Sequence, residues 1–435
     1  MQTGRGARGI ATAVVAALAL GGCWPAPGQN ADRTAHNAFE QRITPVTVAD
    51  LAEAWTVDLG LTATDPVASA GRVHVVSSSC TLSTVDAATG AYRWSQPCDE
   101  YLGFARDASA PYVSGQIVST GFWGSYDTPG PTPPEIFTVP RRYDIATGAE
   151  VGGSTPGALP AGGRGDHEIW TSPRSVYAQV PGAPYPVLTG TVSNGLLIVR
   201  PTDGSAGGRD IRTAGGGTPT LGTEIVVQTG PGTLAVEPGD PTTGQGVRAY
   251  ARAEQGAGCG GGQGDLVECP LWVVPTDGVP TDAVLAPDQS TVFVGTDAGT
   301  VYAIDATDGA VRWTASVAGG VTSEPALADG TLYVPTGSGQ VVAFPAEGCG
   351  AVNCTAQWST STGSAVRVQP AVAGGVVFAG SDDGSVDAFD ATGCGAATCA
   401  PLWSAETGSG ITGAPAVSNG RLYVGTADGR LVAYR

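Results

Sequence analysis

The chain contains no lysine: all 21 of its basic residues are arginine. Lysine-nucleophile and Schiff-base chemistry are thereby removed. Histidine is nearly missing too, with only His36, His74 and His167 present. A serine–histidine–aspartate triad or a di-histidine metal site is poorly supplied by three histidines spread so widely. His74 lies in a strand-like run and reads as a packed residue rather than a ligand. Basic residues as a class are scarce against 39 acidic ones, which gives a net charge of −18. Nucleic acid and anionic lipid surfaces are disfavoured as partners by that balance, and any protein partner is expected to be neutral or basic at the contact. Long helical periodicity is lacking, and no apolar run reaches the ~20 residues needed to cross a bilayer.

The N-terminus has its own pattern. Arg5 and Arg8 are followed by the run Ile10 to Leu20, apolar or small throughout except Thr12. A basic start ahead of a short apolar run is a secretory signal. Directly behind it stands Leu20-Gly21-Gly22-Cys23. That string resembles the lipobox of bacterial lipoproteins, in which cleavage precedes a cysteine that carries a diacylglyceryl group on its sulfur. The alternative is an ordinary signal peptide with an unrelated cysteine, but the small residues before Cys23 favour the lipobox. Residues 1–22 are therefore expected to be a lipoprotein signal peptide, 23–50 a flexible tether rich in small residues and proline, and 51–435 the folded domain. Nine cysteines occur in all. Setting Cys23 aside leaves an even number in four local pairs, which in an exported chain reads as a disulfide framework. Zinc is a weak reading, because Cys-x4-Cys is not the usual ligand spacing and no histidine lies near these pairs.

Glycine (66) and proline (32) are abundant, and short β-branched and aromatic runs alternate with Gly/Asp/Thr turns. This is an all-β pattern. Within it a repeat is visible. Pro325-Ala-Leu-Ala-Asp-Gly-Thr-Leu-Tyr-Val is followed 45 residues later by Pro370-Ala-Val-Ala-Gly-Gly-Val-Val-Phe-Ala, and after the same step by Pro415-Ala-Val-Ser-Asn-Gly-Arg-Leu-Tyr-Val. Trp313, Trp358 and Trp403 keep the same interval. Each unit parses into four short strands, the last ending at the tryptophan, with an Asp-x-x-Thr/Asp-Gly turn before it (Asp86 to Gly90, Asp144 to Gly148, Asp305 to Gly309). Aspartate accepts backbone N–H bonds across such a turn and glycine supplies positive φ. Four strands per 40 to 50 residues, repeated, describe propeller blades.

These motifs resemble the PQQ-like (quinoprotein-type) β-propeller repeat, strongly over 284–435, clearly over 51–94, and in degenerate form between about 100 and 275. The resemblance implies an all-β propeller of four-stranded antiparallel blades. Eight are counted, beginning near Pro66, Ala110, Ser172, Thr218, Ala283, Pro325, Pro370 and Pro415; seven is the alternative if 160–215 makes no full blade. The last blade lacks its outer strand, and Ala54-Trp55-Thr56-Val57 is expected to supply it and close the ring. The family's outer-strand tryptophan docks between blades, a role expected here of Trp55, Trp94, Trp272, Trp313, Trp358 and Trp403. In this frame Cys349/Cys354, Cys394/Cys399 and Cys259/Cys269 are each expected to close a disulfide across one turn, and Cys80/Cys98 to tie the first blade to the segment after Trp94.

Three functions compete on this fold. Lipid-anchored repeats of this kind are similar to the outer-membrane assembly propeller lipoprotein, which implies a non-catalytic scaffold on the outer face of the cell membrane, with an envelope protein as partner and no cofactor. A sensing propeller for a small molecule or a cell-wall component is the second reading. Its binding residues are expected in the loops leading into the blades: Asp65, Glu324, Arg367, Gln369 and Thr412. The proline-rich stretch Thr128 to Pro134, beside Phe122, Trp123 and Tyr126, is a second candidate surface. The least favoured reading is a PQQ-dependent dehydrogenase. Such enzymes use carboxylates on a calcium ion and, in many, adjacent cysteines, and this chain has no Cys-Cys dipeptide. No catalytic or metal-ligating residue is assigned.

Overall fold

A computed structural model of the chain describes residues 23–25, 28–29, 33–60, 62–77, 81–97, 107–108, 111–114, 116–126, 135–151, 168–172, 175–179, 186–193, 196–201, 209–212, 220–221, 225–230, 246–251 and 271–435. Residues 1–22, expected to be a signal peptide, the Thr128 to Pro134 stretch, and Cys80, Cys98, Cys259 and Cys269 lie outside the described residues.

The described strands form eight sheets. In the first, Val67–Ser69, Arg72–Ser77, Thr81–Asp86 and Tyr92–Pro97 pair antiparallel in chain order. The same order recurs in the fifth (Val284–Leu285, Thr291–Gly295, Thr300–Asp305, Val311–Ser316), in the sixth from Ala326–Ala328 to Trp358–Thr360, and in the seventh from Ala371–Ala373 to Trp403–Glu406. The first strands of the sheets begin within a few residues of the positions read from the repeat. The inner strands of the fourth and fifth, sixth and seventh, seventh and eighth, eighth and first, and first and second sheets are neighbours, and the β-propeller expected from the repeat is the fold observed. The second and third strands of each well-described sheet are buried nearly throughout, as at Thr291–Gly295 and Val376–Gly380. The outer strands alternate buried and exposed, as strands with one wet face do.

The ring is closed as expected. Glu53–Asp58 pairs antiparallel with Arg430–Tyr434, with Trp55 opposite Ala433. The eighth sheet is thus built from both ends of the domain, and two edges that would otherwise template aggregation are paired.

Neighbouring sheets are fastened by the outer-strand tryptophans. The indole N–H of Trp55 donates to Ala87 O (3.2 Å), that of Trp94 to Ile145 O (3.0 Å), that of Trp272 to Ala306 O (2.9 Å) and that of Trp313 to Ala346 O (3.0 Å). In each case the acceptor lies in the turn before the next sheet's outer strand. That turn is shaped by its aspartate: Asp86 Oδ1 accepts the N–H groups of Ala88 and Thr89 as well as the Thr89 hydroxyl. Its glycine serves twice. Gly309 has φ +75°, and a Cβ there would lie 2.8 Å from the Trp272 ring. Trp358 sits likewise on Gly393. In the eighth sheet the last two strands, Arg430–Tyr434 and Glu53–Asp58, are not consecutive and no such turn joins them, and Trp403 donates instead to Leu51 O (2.8 Å).

Within the stretch 23–50, expected to be a flexible tether, Trp24 and Thr34 to Asn37 are packed along the axis. Trp24 bridges antiparallel to Ala68 on the inner strand of the first sheet, donating to Ala68 O and accepting from its N–H. After the turn containing Gly28 and Gln29 the chain runs back: His36–Asn37 pairs parallel with Val372 and Ala373 of the seventh sheet. Thr34 O accepts the N–H of Leu327, and Asn37 Nδ2 donates to Val417 O (2.9 Å). The segment is an axial hairpin touching the inner strands of four sheets. The physical reason is twofold. Inner strands present unpaired backbone groups to the axis, and the segment carries apolar side chains to bury there: Trp24, Ile43 and Val48 are all at most 3% exposed.

Candidate functional site

In the first and the fifth to eighth sheets the inner strand begins at one end of the ring and reaches a tight turn at the other. The residues that lead into the inner strands therefore gather at one end of the axis, called here the connection end. Asp65, Asp282, Glu324 and Gln369 occupy this position ahead of the first, fifth, sixth and seventh sheets. The tip of the axial hairpin lies among them. Arg33 places Nη2 2.5 Å from Glu324 Oε1 and 3.4 Å from Asp282 Oδ2. Gln369 Nε2 donates to the carbonyl oxygens of Arg33 (2.8 Å) and Pro325 (2.9 Å). Glu324 accepts the Ser323 hydroxyl (2.8 Å), and Asp65 Oδ1 accepts the Ala414 N–H (2.7 Å).

The charges are organised around the guanidinium. Burial alone would raise the Glu324 carboxyl, but the attraction and hydrogen bond of Arg33 outweigh it and hold Glu324 below its usual range. For Arg33, burial works against the charge, and Glu324 with Asp282 more than restore it, so its pKa is raised. Asp65 is pushed up to about 6, first by burial and further by the nearby Glu324 charge, against the Ala414 N–H bond and Arg33. Three carboxylates and one guanidinium thus share a small volume in which the single cation is held by at least two acids.

Of the five residues expected to face the funnel, three meet here: Asp65, Glu324 and Gln369. Arg367 points outward to Asp382 (2.6 Å) on a hairpin, with both side chains well exposed. The Thr412 hydroxyl donates to Ala63 O (3.0 Å), joining the eighth sheet to the strand connection of the first. Two members of the cluster were missed in the sequence. Asp282 carried a usable signal, since Asp282-Ala-Val aligns with Glu324-Pro-Ala. Arg33 carried none, because it lies in a stretch without repeat or periodicity, 291 residues from Glu324. The cysteine pairs Cys349–Cys354 and Cys394–Cys399 are each joined across their turns. Cys23 is a free, partly exposed thiol. His74 is buried, its Nδ1 2.8 Å from Thr84 Oγ1, and burial lowers its pKa to about 3, so it stays neutral.

At the opposite end, where the inner-strand turns lie, two open clefts of about 710 and 700 Å³ flank the sixth sheet. The first lies beside the hairpin and is lined by His36, Phe39, Asp288, Arg312 and Asp329 among others. Arg312 is committed there to Asp305 (2.7 Å) and Thr291 (2.6 Å).

A quinone with its calcium ion does not fit the connection end as described. Glu324 and Asp282 are turned to Arg33 and Asp65 to the Ala414 N–H, and the chain's own backbone from Arg33 to Asn37 lies along the inner strands. Among the described residues no group of three or more His, Cys, Asp and Glu side chains has the arrangement to hold a metal ion.

The sequence profile of a family described as outer membrane protein assembly factor BamB matches residues 40–129, 270–394 and 355–435, more than half of the chain. Over 66 residues the chain is 39% identical to the outer membrane protein assembly factor BamB of Yersinia pestis, covering 15% of this chain and 16% of that protein. The match thus spans about a sixth of that relative. Among solved structures, the quinohemoprotein alcohol dehydrogenase from Comamonas testosteroni superposes with a TM-score of 0.62 at 16% identity, covering 98% of this chain and 82% of that one. A europium-containing methanol dehydrogenase gives 0.61 at 15% identity, covering 95% and 98%. At these identities the two enzymes share the fold.

Proposed function

We propose that this chain, which belongs to the family of the outer membrane protein assembly factor BamB, is a non-catalytic scaffold of the cell envelope. In this reading it is exported, held at a membrane by a lipid on Cys23, and binds an envelope protein through one face of its ring. Family membership supports the envelope role. The observation that carries the non-catalytic part is the occupied axis: Arg33 pairs with Glu324 and Asp282 at the connection end, and Gln369 clamps the backbone that carries it. A propeller that spends its axial polar groups on its own N-terminal segment presents surfaces rather than a deep pocket, and flat surfaces suit protein partners.

The test is a calorimetric titration of the purified chain from residue 23 onward with pyrroloquinoline quinone and calcium. No saturable heat is expected. Stoichiometric binding, with a matching change in quinone absorbance, would put the dehydrogenase reading first. A second reading, sensing of a small molecule, is favoured by the two open clefts beside the sixth sheet. It predicts that photo-crosslinkers placed around the ring capture no envelope protein in cells, whereas the scaffold reading predicts a discrete crosslinked product from one face.

A further inference from the structure

The axial hairpin fixes how the ring sits. Trp24 runs antiparallel to Ala68, whose strand heads toward the turn at Ala70 and Gly71. Cys23 therefore lies at the turn end, and its sulfur is 3.8 Å from Ser69 Oγ. His36–Asn37 runs parallel to Ala371–Ala373, so the second limb leaves by the same end. There Glu40 accepts the N–H of Gly420 (2.9 Å), Arg42 donates to Asn419 O (3.3 Å), and Pro45 lies against Gly375. Both limbs of the hairpin thus open at the turn end, and only its tip reaches the acids at the connection end.

Two consequences are physical. First, no slack separates Cys23 from the folded ring. The next residue, Trp24, is hydrogen-bonded on both sides of its backbone to Ala68 and is 2% exposed. A group carried on the Cys23 sulfur is held within a side chain's length of the turn end. Second, the returning limb displays apolar side chains at that end: Phe39 is 55% exposed and Val46 86% exposed. They stand beside the inner-strand turns, at the same end as Cys23. By contrast, the hairpin at the connection end that carries Asp382 is polar and paired with Arg367.

We infer that the turn end is a membrane-docking face, resting directly on the lipid surface with Phe39 and Val46 at the headgroup boundary, and that the connection end faces away, open to a protein partner. The inference rests on the reading that Cys23 is acylated, and it adds an orientation that an ordinary flexible tether would not impose. The occupant is a lipid surface of low net charge, since the acidic chain repels anionic headgroups. The two apolar side chains supply only modest attraction by themselves, so the acyl chains provide retention and the hairpin provides the orientation.

The absence of lysine makes the test clean, because one introduced lysine is the sole side-chain amine. Val46→Lys and, separately, Asp382→Lys are made in the full chain, purified in the anchored form, labelled with an amine-reactive environment-sensitive fluorophore, and reconstituted into zwitterionic vesicles. The unsubstituted protein gives the background from the α-amino group. The expected result is blue-shifted emission at position 46, quenched several-fold more by a lipid-borne quencher than by aqueous iodide, with the reverse at position 382. Mass spectrometry of the N-terminal peptide separates the two levels of failure. An acylated Cys23 with both probes equally open to iodide overturns the face-down orientation and leaves the anchor standing. An unmodified Cys23 overturns both.

Discussion

Arg33 is the residue on which the connection end turns. Replacing it by methionine keeps much of the stem and removes the charge, leaving Glu324 and Asp282 facing each other without a cation. Breaking a largely buried pair from one side costs roughly 2–4 kcal/mol, less than for a fully enclosed pair because each side chain keeps some solvent access. Arg33→Met is expected to lose about that much in urea denaturation, and adding Glu324→Gln is expected to restore a good part of it. Additivity of the two losses would show that the pair is not coupled. Asp65 makes a prediction of opposite sign. Its folded pKa, pushed up to about 6, lies above the unfolded value, so the folded state binds the extra proton between about pH 4 and 6 and stability falls as pH rises through that window. Asp65→Asn keeps the oxygen that accepts the Ala414 N–H and removes the charge. It is expected to stabilise by about 1–2 kcal/mol at pH 7 and to make no difference below pH 4. Melting temperatures of both proteins across that range check this.

The strands and turns were legible because each is specified locally. Asp-x-x-Thr-Gly needs only its own five residues to make the turn, and the Leu-Tyr-Val runs need only alternation and β-branching. The seat of the tryptophan was half legible: the sequence showed a glycine fit for positive φ but not the indole of the preceding sheet lying on it. Two substitutions separate those contributions. Gly330→Ala meets only the left-handed backbone, with φ +77° and no atom within 4 Å of the new Cβ, and is expected to cost about 1 kcal/mol. Gly309→Ala meets the same backbone strain and also the Trp272 ring, and is expected to cost about 2–4 kcal/mol. Equal losses in chemical denaturation would mean that the ring moves aside freely. Asp65, Glu324 and Gln369 were legible as positions of the repeat, and Asp282, which was missed, holds the same position. That they converge follows from ring closure, which no single unit encodes.

For the whole molecule, the ring was legible and its contents were not. Residues 23–50 carry small residues, prolines and few apolar side chains, a composition that fits a linker as well as a hairpin held by its surroundings. What decides between them is the set of unpaired groups on the inner strands, visible only once the sheets are arranged about an axis. Removing residues 23–50 strips partners from the N–H groups of Ala68, Leu327 and Val372 and uncovers apolar inner strands. The truncated domain is expected to lose about 5 kcal/mol or more and to bind a hydrophobic dye in its folded state; an unchanged melting temperature would show the hairpin to be dispensable. Closure of the ring by its two ends also sets a timetable. Glu53 is made first, yet its partner is Tyr434, and at ~5–20 residues per second the interval is on the order of half a minute. Throughout that time the opening strand and the axial hairpin have no finished ring to enter. Arg430–Tyr434 locks Glu53–Asp58 in place, so a chain stalled or clipped before Arg430 is left open, with its early strand unpaired and free to pair with a neighbour.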